Sequence, residues 1–428
     1  MGLALLLGTF VVGVLIGVPV AFAMAISALV AFLYEGFPML IAFQRITSGV
    51  TIFSLLAIPF FIFAGELMLH GGIARRLVRF ASTLVGHVRG GLASVNIFSS
   101  MLFGGISGSA VADISALGSL MIPVMKEKGY RGDYAVNVTV TSSIAGVVIP
   151  PSHNMIIYSV AAGGGLSISS LFLAGVVPGL LMCLCLAIAA YVIALRHGYP
   201  SEPFPGLKAV ALSAAAALPG FVTAVIIVGG VLSGVFTVTE SGAFGAIYAL
   251  VLTGLVYRSL SWASFKVAVV TSVRTTAMVM ILIGCANAFG YLLALYDVPT
   301  LLAAGLTTIS ENPLIIILMI NLILLALGMI MDMAALILIC TPIFLPIAAE
   351  LGMSPIQFGI MLLMNLGLGL CTPPVGVCLF VGCAVGDVPI ERAVRTIWPF
   401  YLAMLAALLL VAYVPAVSLW LPSALGGG

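Results

Sequence analysis

Charged side chains are scarce in this chain: only 7% of its 428 residues are Asp, Glu, Lys or Arg, against 63% hydrophobic ones. No soluble globular protein has so little polar surface to turn to water, which excludes a water-soluble fold. Segments of period-2 alternation are missing as well, which excludes a transmembrane β-barrel. No Walker, Ser-His-Asp or metal-ligand spacing occurs, so catalysis is not expected. Cysteine supplies no framework either. Cys183, Cys185, Cys285, Cys340, Cys371, Cys378 and Cys383 all lie in apolar segments, where the residue acts as a small hydrophobe. A net charge of +2 says little about nucleic acid, which is not an expected partner, and no cofactor is expected.

What is there instead is a succession of apolar runs long enough to cross a hydrocarbon core of ~30 Å. They define an all-α polytopic membrane protein embedded in the lipid bilayer. Membrane helices are expected near 3–34, 51–70, 135–163, 169–196, 217–235, 238–257, 272–296, 356–386 and 396–420. The first run reads as one retained helix kinked at Pro19, not as a signal peptide. Residues 73–89, with Arg75, Arg76, Arg79 and Arg89 beside Ile73, Leu77, Phe80 and Leu84, form an amphipathic basic stretch suited to an interfacial arm. Residues 206–216 and 298–306 read as similar arms.

Two further apolar stretches, 91–126 and 312–350, are each divided by a polar or glycine-rich tip, Gly104–Ser109 and Gly328–Asp332. Both read as re-entrant hairpins, because irregular backbone at membrane depth survives only against protein or a wet cavity. The chain also holds two Pro-Pro dipeptides, Pro150-Pro151 and Pro373-Pro374, 223 residues apart. The same offset carries Gly105 onto Gly328, Pro123 onto Pro346, Gly146 onto Gly369 and Gly163 onto Gly386 without a gap. Each copy has a glycine-interrupted hairpin and then a long apolar helix broken by Gly-x-x-x-Pro-Pro. Internal repeats with paired broken helices are the mark of a secondary transporter. The first half covers 1–205 and the second 206–428, divided near the loop Gly198–Gly206.

Loop charge tests this segmentation. If neither hairpin crosses, fourteen of the fifteen Lys and Arg residues fall on one side and only Arg45 on the other. The positive-inside rule makes the rich side cytoplasmic. The N-terminus is then expected inside and Ser423–Gly428 outside. Five crossings separate the hairpins, so the repeats are expected to be inverted, with one hairpin opening from each side.

Proline removes a donor and pushes the preceding residue out of the helical region. The breaks are therefore expected to leave carbonyls without helical partners around Gly146–Ile149 and Gly369–Thr372. With a hydroxyl nearby, such carbonyls suit an alkali cation; a plain proline kink is the other reading. At the first tip, Ser107, Gly108, Ser109 and Asp113 form a polar island where half-helix N-termini would favour an anion. Small residues for close packing explain its glycines but not Asp113. Asp332 at the second tip is an intramembrane carboxylate and so a functional candidate. Glu66 and Glu240 near helix ends suit snorkelling or capping. His153 and Asn154, following the first Pro-Pro pair, could face a substrate, with a structural hydrogen bond the equal alternative for His153.

Leu56-Ala-Ile-Pro-Phe-Phe61, Gly86-His-Val-Arg-Gly-Gly-Leu92, Ile106-Ser-Gly-Ser-Ala-Val-Ala-Asp113 and Ile149-Pro-Pro-Ser152 resemble the large membrane subunit of tripartite ATP-independent periplasmic (TRAP) transporters. Gly234-Val-Phe-Thr-Val-Thr-Glu240 and Cys371-Thr-Pro-Pro-Val375 fit as well, and the resemblance spans essentially the whole chain. It implies a sodium-coupled, elevator-type importer of an organic acid in the bacterial inner membrane. Its partners would be a four-helix small membrane subunit and a periplasmic substrate-binding protein. It implies one sodium site at Gly105 and Ser107 with Gly146, Ile149 and Pro151, and another at Gly328, Gly369, Thr372 and Val375, with Asp332 supporting a cation nearby. Ser109 and Ser152 would face the substrate, alongside Asp113, His153 and Asn154. The moving body would comprise 91–163 and 312–386, with the remainder as scaffold and arms. His153-Asn154 departs from the more apolar residues usual after this motif. A stand-alone carboxylate carrier or exchanger is the alternative, and a channel a second one; hairpins occluding from opposite sides suit alternating access better than a continuous pore.

Overall fold

The computed structural model describes residues 1–425, with the side chains of Ile106 and Ser107 set aside. Every element among the described residues is helical. Six helices are long and apolar enough to cross a membrane, and three bent pairs qualify jointly.

The chain begins with α1 (Gly2–Leu15) and α2 (Val20–Tyr34), which corrects the expected single kinked span. Gly17 at φ 86° and Pro19, which starts the next helix, reverse the chain completely. The pair is antiparallel: a methyl group on Gly13 would lie 3.2 Å from Ala23 Cβ, and Gly2 lies against the Glu35 carboxylate. The N-terminus therefore stands at the Glu35 end. An unexpected amphipathic α3 (Met39–Val50) follows, and then α4 (Phe53–His70).

The basic arm is α5 (Ile73–Val85). It buries Ile73, Ala74, Leu77 and Ala81, and Arg76 stacks over Tyr257 at 3.6 Å. The first hairpin is α6 (Gly91–Ser107), α7 (Ala110–Asp113), a π-turn over Ile114–Gly118 and α8 (Ser119–Glu127). The first broken helix runs through α9 (Gly132–Ser142), α10 (Ala145–Val148) and α11 (His153–Ala161), bending by 54°. Then comes α12 (Ile168–His197).

In the second half the expected arm at 206–216 is absent: it is the start of a continuous α13 (Leu207–Leu232). Next is α14 (Val238–Val256), opened by a full capping box in which Thr237 and Glu240 satisfy each other's backbone N–H. This realises the capping reading of Glu240. α15 (Trp262–Leu295) starts ten residues before the expected 272, capped by Ser261. The arm α16 (Val298–Ile309) meets α17 (Pro313–Gly328) at 119°, and α18 (Met333–Glu350) completes the second hairpin. The second broken helix is α19 (Pro355–Leu370) with α20 (Val377–Gly386). The chain ends through α21 (Ile390–Thr396), α22 (Trp398–Tyr413) and α23 (Pro415–Ala424), so the expected 396–420 helix is broken at Val414. The last three residues of the C-terminal stretch, Gly426–Gly428, lie outside the described residues.

The two broken helices pack antiparallel along their length. Glycines Gly386, Gly382 and Gly367 receive Val136, Val140 and Ile144 in turn, and Gly359 lies against the Tyr158 ring. The hairpins reach this pair from opposite ends. At one end Lys126 Nζ donates to the Gly386 carbonyl; at the other α22 links the two, its Tyr413 Oη donating to Leu314 O at 2.9 Å and its Val411 O accepting from Gln357 Nε2 at 3.0 Å.

Each hairpin's first helix is tied to its broken helix by buried polar groups. Asn96 Nδ2 donates to Thr139 Oγ1 at 2.6 Å and the Ser100 and Ser142 hydroxyls meet at 3.0 Å. In the second half Asn365 Nδ2 donates to Asn321 Oδ1 at 2.8 Å and Asn321 O at 2.9 Å. Ser142 and Asn365 are themselves 223 positions apart.

Each tip rests glycine on glycine. A methyl group on Gly146 would stand 2.3 Å from Gly104 Cα, and one on Gly369 2.7 Å from Gly328 Cα. Gly146→Ala should therefore force the first tip off its helix and cost about 1–3 kcal/mol. Gly8→Ala, with nothing within 4 Å of the added group, should gain up to about 1 kcal/mol in helix propensity. Thermal melting of the detergent-solubilised protein checks both; equal melting of the two variants would remove the contact's importance.

Candidate functional site

At the first break Ile149 adopts an extended ψ of 129°, ending α10. Pro150 and Pro151, joined by a cis peptide, have no N–H to give the carbonyls of Gly146 and Val147 one turn earlier. The tip closes over this point. A Cβ on Gly105 would come within 2.9 Å of Pro150 O and 3.2 Å of Ile149 Cγ2. Gly108, at φ 62°, ends α6 and lies over His153, where a methyl group would meet Nδ1 at 2.9 Å. Asn154 Nδ2 then donates to Gly108 O at 3.3 Å, fixing the tip to α11. On the far side α12 presents Gly175 to the Val148 carbonyl and Gly179 to Ile149, so the break is enclosed by backbone.

The second break is built alike but satisfied differently. Thr372 N–H reaches the Gly369 carbonyl at 2.9 Å, and Tyr401 Oη donates to Cys371 O at 2.6 Å. The expected partnerless stretch Gly369–Thr372 is thus corrected: two of its carbonyls have donors. Thr372 Oγ1 donates to Leu368 O at 2.8 Å, leaving its lone pairs as acceptors. Val375 N–H and Gly376 N–H both point at Met329 O, at 3.1 and 3.4 Å, joining break to tip. Asp332 is exposed and caps α18 through Ala334 N–H at 3.0 Å.

Of the sequence-derived ion set, Gly105 meets Ile149 beside Pro151 and Gly328 meets Gly369, with Val375, past the Thr372 turn, bonded to Met329, while Asp332 is exposed at the second tip. Ser107, named with Gly105, has its side chain outside the described residues.

The substrate set divides. A cavity of about 90 Å³ opens between α4, the first tip and α11; Ser109 and His153 line it with Glu66, Ala112 and, from α15, Thr275. Ser109 also caps α7, accepting from Ala112 N–H at 3.4 Å. Asp113 and Ser152 are fully buried and Asn154 is bonded to the tip. The Ser152 hydroxyl has no hydrogen-bond partner among the described residues. None of the three is among the residues that line this cavity. Glu66 and Thr275 are the polar lining residues that spacing did not assign to a site. Glu66 Oε2 lies 3.4 Å from His70 Nε2 on the same helix. An intramembrane carboxylate was the signal available for it.

With this geometry in hand, likeness to known proteins is informative. Residues 7–417 match the family described as tripartite ATP-independent periplasmic transporter, DctM component. The chain is 42% identical over 421 residues to the uncharacterized protein YgiK of Salmonella typhimurium, covering 98% of this chain and 96% of that one. It is 40% identical over 408 residues to the sialic acid TRAP transporter large permease protein SiaM of Vibrio cholerae, covering 95% of each. In fold it is similar to the Alcanivorax borkumensis YdaH transporter, with a TM-score of 0.64 at 15% identity over 92% of this chain and 89% of that one. The chain belongs to the DctM-component family of tripartite ATP-independent periplasmic transporters, as a multi-pass membrane protein.

Proposed function

We propose that this chain is the membrane-embedded large permease of a binding-protein-dependent importer, carrying a small organic acid across the bacterial inner membrane on a sodium gradient. The observation that carries the reading is the paired contact of hairpin tip and helix break, glycine on glycine, twice in one chain. Family membership supports a small membrane subunit and a periplasmic binding protein as partners, and a transporter in place of an enzyme.

At each site the donors are backbone carbonyls near a proline break, with the Thr372 hydroxyl added in the second. These are hard oxygens, suited to sodium. Sodium bound there would supply positive charge beside the solute. The residues of the chain do the rest. Gly104 and Gly328 let each tip approach its break, Asn154 and Met329 latch the tips, and Ser109 and His153 offer polar contacts to the solute across from Glu66.

Antiparallel broken helices with hairpin bases at opposite ends support inverted repeats and an elevator-type movement. The proposed moving body extends beyond 91–163 and 312–386. α12 packs on α6, α10 and α19, and α22 packs on α12 and α19, so these two helices travel with it. The scaffold is α1–α4 with α13–α15, which pack on one another, while α5 and α16 act as arms.

The antiparallel α1–α2 pair also revises sidedness. With the basic side cytoplasmic, the N-terminus shares the periplasmic side with Arg45, as does the C-terminus.

Two predictions test this. Reconstituted with its small subunit and binding protein, the chain should take up solute only with an inward sodium gradient, and Thr372→Ala should weaken the sodium response several-fold. Sodium-independent uptake would refute the coupling. An epitope placed before Met1 should be cleaved by protease added to intact spheroplasts; protection until lysis would return the N-terminus to the cytoplasm.

A further inference from the structure

A second cavity, of about 230 Å³, lies between α3, α15, the end of α11 and α18. Its lining brings together proposed scaffold residues, Arg45, Asn287 and Tyr291, and proposed moving-body residues, Ala161, Leu338 and Pro342. Arg45 is the one Lys or Arg on this side, since the other fourteen fall on the opposite one.

The residue is held from two directions. Its guanidinium stacks on the Tyr291 ring at 4.0 Å, and Asn287 Nδ2 donates to its carbonyl at 2.6 Å and to Ser48 Oγ at 3.1 Å. Among the described residues no carboxylate lies within ion-pair distance of it. A stacked guanidinium keeps its edge donors free for a carboxylate. The surrounding side is otherwise acidic: Glu35, Glu240, Asp297, Glu311 and Glu350 sit at the helix ends there. An anion is thus unwelcome over most of that face and favoured at one cavity.

We propose that the Arg45 cavity is a receiving site for the carboxylate group of a solute on the periplasmic side, occupied before the solute reaches the Ser109–His153 cavity. It rests on the transport reading above for its sidedness. The carboxylates elsewhere on that side discourage capture of free anions from solution, so the site favours solute released directly over it. Its position across the seam between the two proposed bodies means that relative movement would remodel it.

The test needs neither transport nor sodium, so its failure is separate from failure of the function. Ala161→Cys places a thiol on the cavity wall in the purified protein, with the unsubstituted chain as the blank for its seven native cysteines. Modification rates are compared for an anionic (2-sulfonatoethyl) and a cationic (2-trimethylammonioethyl) methanethiosulfonate. The anionic reagent should react faster by roughly tenfold at low salt, as a focused positive site predicts, and high salt should erase the difference. Adding Arg45→Gln should abolish the preference, while Arg45→Lys retains most of it; the uncharged methyl reagent should react alike in all three. If Arg45→Gln fails to fold, the salt dependence with Arg45 intact decides. A preference absent with Arg45 present, or unchanged in Arg45→Gln, would overturn the proposal and assign Arg45 to lipid headgroups.

Discussion

A backbone carbonyl or amide stripped of its partner in hydrocarbon costs several kcal/mol, and this chain interrupts its helices at that depth twice. Everything else in the architecture answers that constraint. Each break is enclosed by backbone, which only glycine permits: Gly104 on Gly146 and Gly328 on Gly369, with Gly175 and Gly179 closing the first from behind. Both hairpin tips accordingly end level with the breaks. The polar ties Asn96–Thr139 and Asn321–Asn365 then fix each hairpin's first helix along its broken neighbour, in a medium where apolar contact gives no preference between neighbours.

The two breaks meet the same constraint with different chemistry. At the second break Thr372 N–H, Tyr401 Oη and the pair of amides on Met329 O consume hydrogen-bonding capacity locally. At the first, the latch is a side chain, Asn154 on Gly108 O, and the neighbouring His153 is left to face a cavity. The second copy has Val375, Gly376 and Val377 where the first has Ser152, His153 and Asn154. Its turn is latched to the tip by main-chain bonds, Val375 N–H and Gly376 N–H to Met329 O. The division follows from one substitution of an amide side chain for a main-chain bond.

The two helix breaks and the glycine tips packed on them were legible because proline and glycine act through local sterics. The same directness made Glu240 readable as a cap. Reading failed where the signal was weak against its background or needed three dimensions. Gly17-Val18-Pro19 is a mild interruption in a continuous apolar run, yet Gly17 at φ 86° reverses the chain and moves the N-terminus to the Glu35 end. The start of α15 was hidden because Trp262 to Lys266 mixes polar and apolar residues, and only the Ser261 cap marks it. Ser152, His153 and Asn154 lead into a helix in which successive residues point about 100° apart, and of the three only His153 lines the cavity. Glu66 was missed for the converse reason: its helix end lies beside another element's tip, and that proximity exists only in the fold.

The lining of the Ser109–His153 cavity contains a carboxylate, Glu66, and no Lys or Arg. An anionic solute has no fixed countercharge there and must rely on hydroxyls, an imidazole and helix-end amides. On the proposed function, that deficiency is what makes coupling tight. Opposite unit charges about 4 Å apart in a medium of effective dielectric 20 attract by about 4 kcal/mol, or ~1,000-fold in affinity. A permanent arginine would grant this with or without sodium and let the solute cross uncoupled. A cation held only by the carbonyls of the breaks grants it only when sodium is bound. The scarcity of charge that marks the whole chain thus becomes, at the cavity, the condition for making solute binding depend on the ion.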